Sequence, residues 1–313
     1  MTLEEQIRSN RIRSGMLVLC FGLVFVGIGA AVQAVYGGNA LIIIAAIAFA
    51  YALFAWFANG SMIASWTGAR PVTKDEYPEL VRAVENASIG AGLAQTPQVR
   101  VVDDPCPNAF AAGGSPKTAY ICATSGLLQM MDKRELEAVV AHEVGHIRDR
   151  DVRLMSLAAV LVGVVALVAD IALRLAFFGG LGGGRRRSGG GNPILIIVGI
   201  AGLIIAPIAA FGIQMALSRR REYMADEASA EITGDPEGLA LALWKLKEDT
   251  TELRHVNRAT AHLYIETPLN NASGIRSALS GLFDTHPSLD ARIESLEKMG
   301  GFKITDLVGT ASA

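Results

Sequence analysis

Two histidines four residues apart, with a glutamate directly after the first, stand in Ala141-His142-Glu143-Val144-Gly145-His146. On a helix, residues i and i+4 share a face, so both imidazoles can reach one metal ion. Glu143 is then placed to take a proton from a metal-bound water as general base. Zinc would supply the rest by lowering that water's pKa toward ~7 and polarising a scissile carbonyl. The pattern predicts hydrolysis at one zinc ion per chain; the opposing reading is a solvated helix that carries these letters by chance. A catalytic zinc keeps three protein ligands and one open position, so a third ligand is expected elsewhere. His255 and His262, seven residues apart in a polar stretch, read better as a solvated face. Glu222, in Ser218-Arg219-Arg220-Arg221-Glu222-Tyr223-Met224-Ala225-Asp226, follows the end of an apolar run by five residues, and His146 precedes the start of another by nine. At 1.5 Å per helical residue, both lie within about 15 Å of a membrane boundary. Asp226, one turn after Glu222, can accept the outer N–H of a ligating histidine and fix its tautomer. The alternative, that Glu222 and Asp226 merely pair with Arg219 to Arg221, stays open at this point.

The elements that must hold these residues are legible in the pattern. Asp132 followed by Glu135 has the form of a helix-start capping box, and Leu136, Val139 and Val140 carry the apolar spacing into the His142 motif. Residues 75–93 predict another amphipathic helix. Residues 97–103 and 118–123 read as short strands. Residues 108–112 pair with the latter across Gly113-Gly114-Ser115-Pro116-Lys117, giving a small antiparallel sheet.

Four apolar stretches, at 16–36, 39–58, 155–178 and 193–217, each reach the ~20 residues that a helix needs to cross hydrocarbon. They form two hairpins, the first turning at Gly37-Gly38 and the second joined by the Gly/Arg-rich segment 179–192. Hydrophobic residues make up 51% of the 313-residue chain, above what a soluble globule usually shows. A net charge of -2 provides no basic surface for phosphates, which argues against nucleic acid as a partner. Cys20, Cys106 and Cys122 form no CxxC pair and read as reduced thiols in apolar space. The first run lacks a small-residue cleavage site and reads as a retained anchor. Arginines and lysines before runs one and three and after runs two and four place those ends in the cytoplasm. Arg185 to Arg187 disagree, because they would lie on the far side; Asp170 and Arg174, inside run three, suggest a polar contact or a self-neutralising pair.

On these residues the chain resembles the HtpX family of membrane zinc metalloproteases, relatives of the eukaryotic CAAX prenyl proteases. The resemblance runs from the first apolar run to about residue 300. It rests on His142 to His146 with Asp151 after them, Ser218 to Asp226, Asn108-Ala109-Phe110-Ala111, and Thr285-His286-Pro287. It implies that Glu222 is the third zinc ligand. It implies that the strand from Asn108 pairs with extended substrate, against an ordinary turn-side role for Asn108. It further implies that His286 approaches the metal and stabilises an oxyanion, against a plain His-Pro turn. Asp151 shares the family pattern without a clear physical role beyond orienting the ligand helix. By resemblance the protein is a quality-control endopeptidase of the bacterial cytoplasmic membrane. It would cleave misfolded or damaged membrane proteins, with its active site facing the cytoplasm, as part of a stress response.

The expected architecture is a mainly α membrane protein with about four transmembrane helices and a cytoplasmic zincin-like domain containing the small antiparallel sheet. Its parts are a hairpin at 1–59, a cytoplasmic segment at 60–154, a second hairpin at 155–217 and a cytoplasmic segment at 218–313. The rivals are a silent membrane scaffold, against which intact Glu143 argues, and a dedicated processing protease, for which four spans are too few to build an enclosed chamber.

Overall fold

The computed structural model describes residues 3–161, 163, 164, 219–251, 263, 265 and 287–311. Two long helices open it, α1 (Leu3–Tyr36) and α2 (Ala40–Thr67). Both contain stretches long and apolar enough to cross a membrane, Ile7–Ala34 and Ala40–Thr67. The chain reverses between them at Gly37 and Gly38, whose φ values of 69° and 73° would strain any side chain. Large apolar groups point outward from both helices: Leu19, Phe49 and Phe57 are 63%, 71% and 78% exposed. A surface of that kind calls for lipid or a partner rather than water. The second helix runs past the expected boundary at 59 and stops at left-handed Gly68. Gly60 does not end it, because the missing side chain is a contact: a Cβ there would lie 3.1 Å from Cα of Gly113.

The sheet has four strands, β1 (Arg70–Pro71), β2 (Gln98–Val102), β3 (Ala109–Ala112) and β4 (Tyr120–Thr124), in the order β1-β2-β4-β3. It is mixed, which corrects the antiparallel expectation. β3 and β4 form the expected antiparallel pair, Ala111 opposite Ile121, but β2 lies on the other edge of β4 and runs parallel to it, Val99 opposite Ile121. The connection from Val102 to Ala109 carries the chain past the place that β4 later fills. Apolar alternation fixes which face is buried and leaves the partner open. Both faces are covered. Phe110, Ala112, Tyr120 and Cys122 pack with α1, α2 and the apolar helix α6 (Val152–Leu161). Ala109, Ala111, Ile121 and Ala123 pack on the other side with α3 (Pro78–Gly90) and α5 (Lys133–Arg148). The α3 helix answers the expectation over 75–93, started by Pro78.

A short α4 (Ser125–Met130) is capped by the Thr124 side chain. α5 then begins at the predicted capping box: the Asp132 carboxylate accepts from Glu135 N–H at 2.8 Å and Glu135 accepts from Asp132 N–H at 2.8 Å. Residues 135 to 147 of α5 are almost all buried, so the helix runs through the centre of the fold. Among the described residues α7 (Arg219–Thr233), α8 (Pro236–Glu248), α9 (Leu289–Gly300) and α10 (Ile304–Ala311) follow. Cys106 and Cys122 are buried free thiols and Cys20 is partly buried, as expected. Run four, most of run three, the 179–192 segment, Asp170, Arg174, His255, His262 and His286 lie outside the described residues.

Candidate functional site

Gly145 decides how close the third donor comes. A Cβ on it would stand 2.9 Å from the Ala228 Cβ and 3.5 Å from the Ala225 Cα, so α5 and α7 touch backbone to backbone at this point. Ser229 fastens the crossing by donating its hydroxyl to the Ala138 carbonyl at 2.7 Å. The first turn of α7 is thereby laid against the histidine face of α5. One ligand atom each from His142, His146 and Glu222 lies within 4.8 Å of the others, all three residues buried. Each Nε2 is 3.9 Å from a Glu222 oxygen, and the two rings stand nearly perpendicular at 89°.

The outer nitrogens are occupied. His142 Nδ1–H donates to Asp226 at 3.0 Å, the arrangement expected from the one-turn spacing after Glu222. His146 Nδ1–H donates to Asp151 at 3.1 Å. Asp151 thus acts on the His146 side chain rather than on the helix as a whole. The inner Nε2 of His142 is buried and has no hydrogen-bond partner among the described residues. A buried imidazole nitrogen without a partner is costly. Two imidazoles and one carboxylate, with outer N–H groups tied to carboxylates, are a donor set that fits zinc.

Arg292, fully buried on α9, belongs to none of the sequence motifs. It grips Asp226 through two nitrogens at 2.9 and 2.6 Å and lies 3.6 Å from Glu222. It is the close basic partner of Asp226, while Arg221 also feels the charge of Glu222. Of the three arginines Arg219 to Arg221, Arg219 and Arg220 are exposed and Arg221 donates to Asn10 at 3.2 Å. Burial would raise the Asp226 carboxyl, but Arg292 and His142 hold it below its usual range.

Glu143 faces β3, where its carboxylate accepts from the Ala111 N–H. Burial, with Glu222 nearby, pushes its pKa up to about 7 despite the opposing pull of His146. A carboxyl titrating near neutrality can both take and return a proton. Burial lowers His142, with Asp226 opposing. For His146 burial works downward too, but the carboxylates of Asp151, Glu222 and Glu143 outweigh it and raise the imidazole to about 10.

Asn108 sits at the head of β3, buried, with its N–H donating to Thr124 Oγ1 at 2.8 Å and its side-chain oxygen accepting from Ala109 N–H at 3.1 Å. Among the described strands β3 lies at an edge of the sheet. The Ala109 carbonyl accepts from Ile265 N–H at 3.1 Å, so a strand pairing there must displace that contact.

Residues 74–300 match Peptidase family M48. The chain is 40% identical over 308 residues to a Protease HtpX homolog of Listeria monocytogenes serovar 1/2a, covering 95% of this chain and 100% of that protein. It is 40% identical over 302 residues to a Protease HtpX homolog of Limosilactobacillus fermentum, with the same coverage. Among solved structures it is similar to S. mikatae Ste24p at a TM-score of 0.49 and 19% identity, covering 94% of this chain and 67% of that one.

Proposed function

The chain belongs to peptidase family M48 as a membrane metalloprotease of the HtpX type, and we propose that it hydrolyses misfolded or damaged membrane proteins at one zinc ion on the cytoplasmic face of a bacterial membrane. The observation that carries the zinc assignment is the Nε2 of His142, without a hydrogen-bond partner among the described residues, buried opposite Glu222 and beside His146. His142, His146 and Glu222 would hold the ion. When bound, zinc supplies Lewis acidity that makes a water acidic near neutral pH and polarises the scissile carbonyl.

The chain's own groups do the rest. Asp226 and Asp151 hold the Nδ1 sides of the two rings, which leaves each Nε2 as the atom that would face the ion. Arg292 fixes Asp226. Glu143 accepts the proton of the attacking water and returns it to the departing amine. The β3 edge from Asn108 to Ala112 offers main-chain hydrogen bonds to an extended substrate, a mode with little sequence demand. His286 is assigned the oxyanion role that the resemblance implies. Four spans put both polar segments on one side, with α1 and α2 supplying the first hairpin.

The test compares purified wild type with Glu143→Gln for zinc content and for cleavage of an unfolded membrane protein. Each should bind one zinc, with cleavage at least about 10²-fold slower in the variant. Failure of the folded, zinc-loaded wild type to cut any of several unfolded substrates would overturn the quality-control reading. Cysteine labelling at Ser188, in a chain stripped of its native cysteines, should succeed only from outside the cell. Labelling only from inside would remove the four-span arrangement.

A further inference from the structure

At the start of α1, Ile7, Asn10, Arg11 and Ser14 recur at the spacing of one helical face and form one wall of a cavity of about 70 Å³. The other walls are Gly114, Ser115 and Pro116 of the β3–β4 turn, and Arg150, Val152 and Arg153 around the start of α6. A water takes roughly 10–15 Å³ of such a volume, so there is room for several waters or one compact anion.

Three guanidinium groups border this hollow, and among the described residues no carboxylate does. Several arginines elsewhere are closely paired, Arg134 with Asp235 and Glu237, Arg148 with Asp149 and Glu231, and Arg292 with Asp226, whereas those around the hollow cluster with one another. Arg11 and Arg150 are exposed and make no ion pair with a described residue. Asp149, beside Arg150 in the chain, is buried and accepts from Arg148 at 3.2 Å. Arg153 lies over the Trp56 ring, 5.1 Å from its centre, and donates to the Gly114 carbonyl. Burial, and after it the charges of Arg11 and Arg150, hold its guanidinium below the ordinary arginine value.

The position of the hollow identifies its occupant. Exposed apolar side chains begin on α1 at Ile12 and Met16 and run on α2 as far as Phe57, next to Trp56. The hollow therefore lies where the lipid-facing surface gives way to polar surface, the level at which tryptophan and arginine meet headgroups.

We propose that Arg11, Arg150 and Arg153 bind the phosphate of an anionic phospholipid, whose acyl chains lie against the exposed apolar surface of the first hairpin. Such a lipid would join the first span to the chain leaving the histidine helix.

The test titrates delipidated full-length protein in neutral detergent with short-chain phosphatidylglycerol, short-chain phosphatidylcholine or inorganic phosphate, reading the unfolding midpoint. Phosphatidylglycerol should raise the midpoint saturably, phosphatidylcholine should not, and phosphate should act only at far higher concentration. The variant R11Q/R150G should need at least about tenfold more phosphatidylglycerol for the same shift, as expected for the loss of one charge-assisted contact or more. Arg150 stands at φ 57°, a conformation glycine adopts freely, so the lipid-free midpoint should not fall and misfolding is separable from lost binding. Arg82→Gln, on the exposed face of α3, should respond as wild type. An unchanged response in R11Q/R150G, equal shifts with phosphatidylcholine, or phosphate matching phosphatidylglycerol mole for mole would each overturn the proposal.

Discussion

Asp151 follows the last turn of the histidine helix, and it returns to His146 because the chain bends back at Arg150, with the Asp151 N–H reaching the His146 carbonyl at 3.3 Å. A carboxylate on the outer nitrogen of a ligating imidazole fixes its tautomer and raises its basicity. Asp151→Asn should therefore weaken zinc binding about 10- to 100-fold with the helical content unchanged, measured by competition with a chelator of known affinity. Asp226→Asn should do more. It disturbs His142 in the same way and also strips Arg292, fully buried, of its closest carboxylate. Breaking a buried pair by removing one partner costs about 3–5 kcal/mol, so a fall in the zinc-free unfolding midpoint should accompany the affinity loss. At this scale His142, Glu143 and His146 are legible from their spacing alone. Glu222 and Asp226 are legible as candidates, and the resemblance chooses Glu222. The Asp151 contact depends on a left-handed turn at an arginine, and the Arg292 contact on packing between distant helices, neither of which leaves a local pattern.

The α5 and α7 helices bring the donors together only because their backbones approach at Gly145, the one small residue between Val144 and His146. Gly145→Ala would push a methyl group to 2.9 Å from the Ala228 Cβ. Overpacking of that kind costs roughly 1–3 kcal/mol, and relief by sliding α7 outward would carry Glu222 away from the histidines. The expectation is a lower unfolding midpoint together with weaker zinc binding. Gly309→Ala, on α10 with nothing within 4 Å of the added Cβ, should have the opposite sign and stabilise by about 0.5–1 kcal/mol. A comparison of the two midpoints separates contact from propensity. The capping box was readable from Asp132 and Glu135, because its hydrogen bonds join neighbours in sequence. The parallel β2–β4 pairing was not, since period-two alternation is the same for either strand direction.

In the whole molecule, the first hairpin is built into the catalytic half and does more than tether it. Gly60 lies against Gly113, the Tyr120 hydroxyl donates to the Gly60 carbonyl at 3.2 Å, and Asn10 links the Asp149 carbonyl to Arg221. Phe110, Ala112, Tyr120 and Cys122 have α1, α2 and α6 as their cover. Hydropathy reveals the two apolar runs of this hairpin, but it carries no record of what lies against their inner faces, so this integration is invisible in sequence. Burying a large apolar side chain stabilises by about 1.5–3 kcal/mol, and re-exposing several would exceed the margin of ~5–15 kcal/mol on which folded domains exist. A fragment starting at Gly60 should therefore fail to form a fixed core. Its near-ultraviolet circular dichroism should be weak, it should bind a hydrophobic dye, and zinc should not rescue it, because the missing contacts lie on the sheet face away from the metal. A monomeric fragment with a sharp aromatic spectrum and one bound zinc would show instead that the hairpin is a tether, and that the zinc-binding half folds without it.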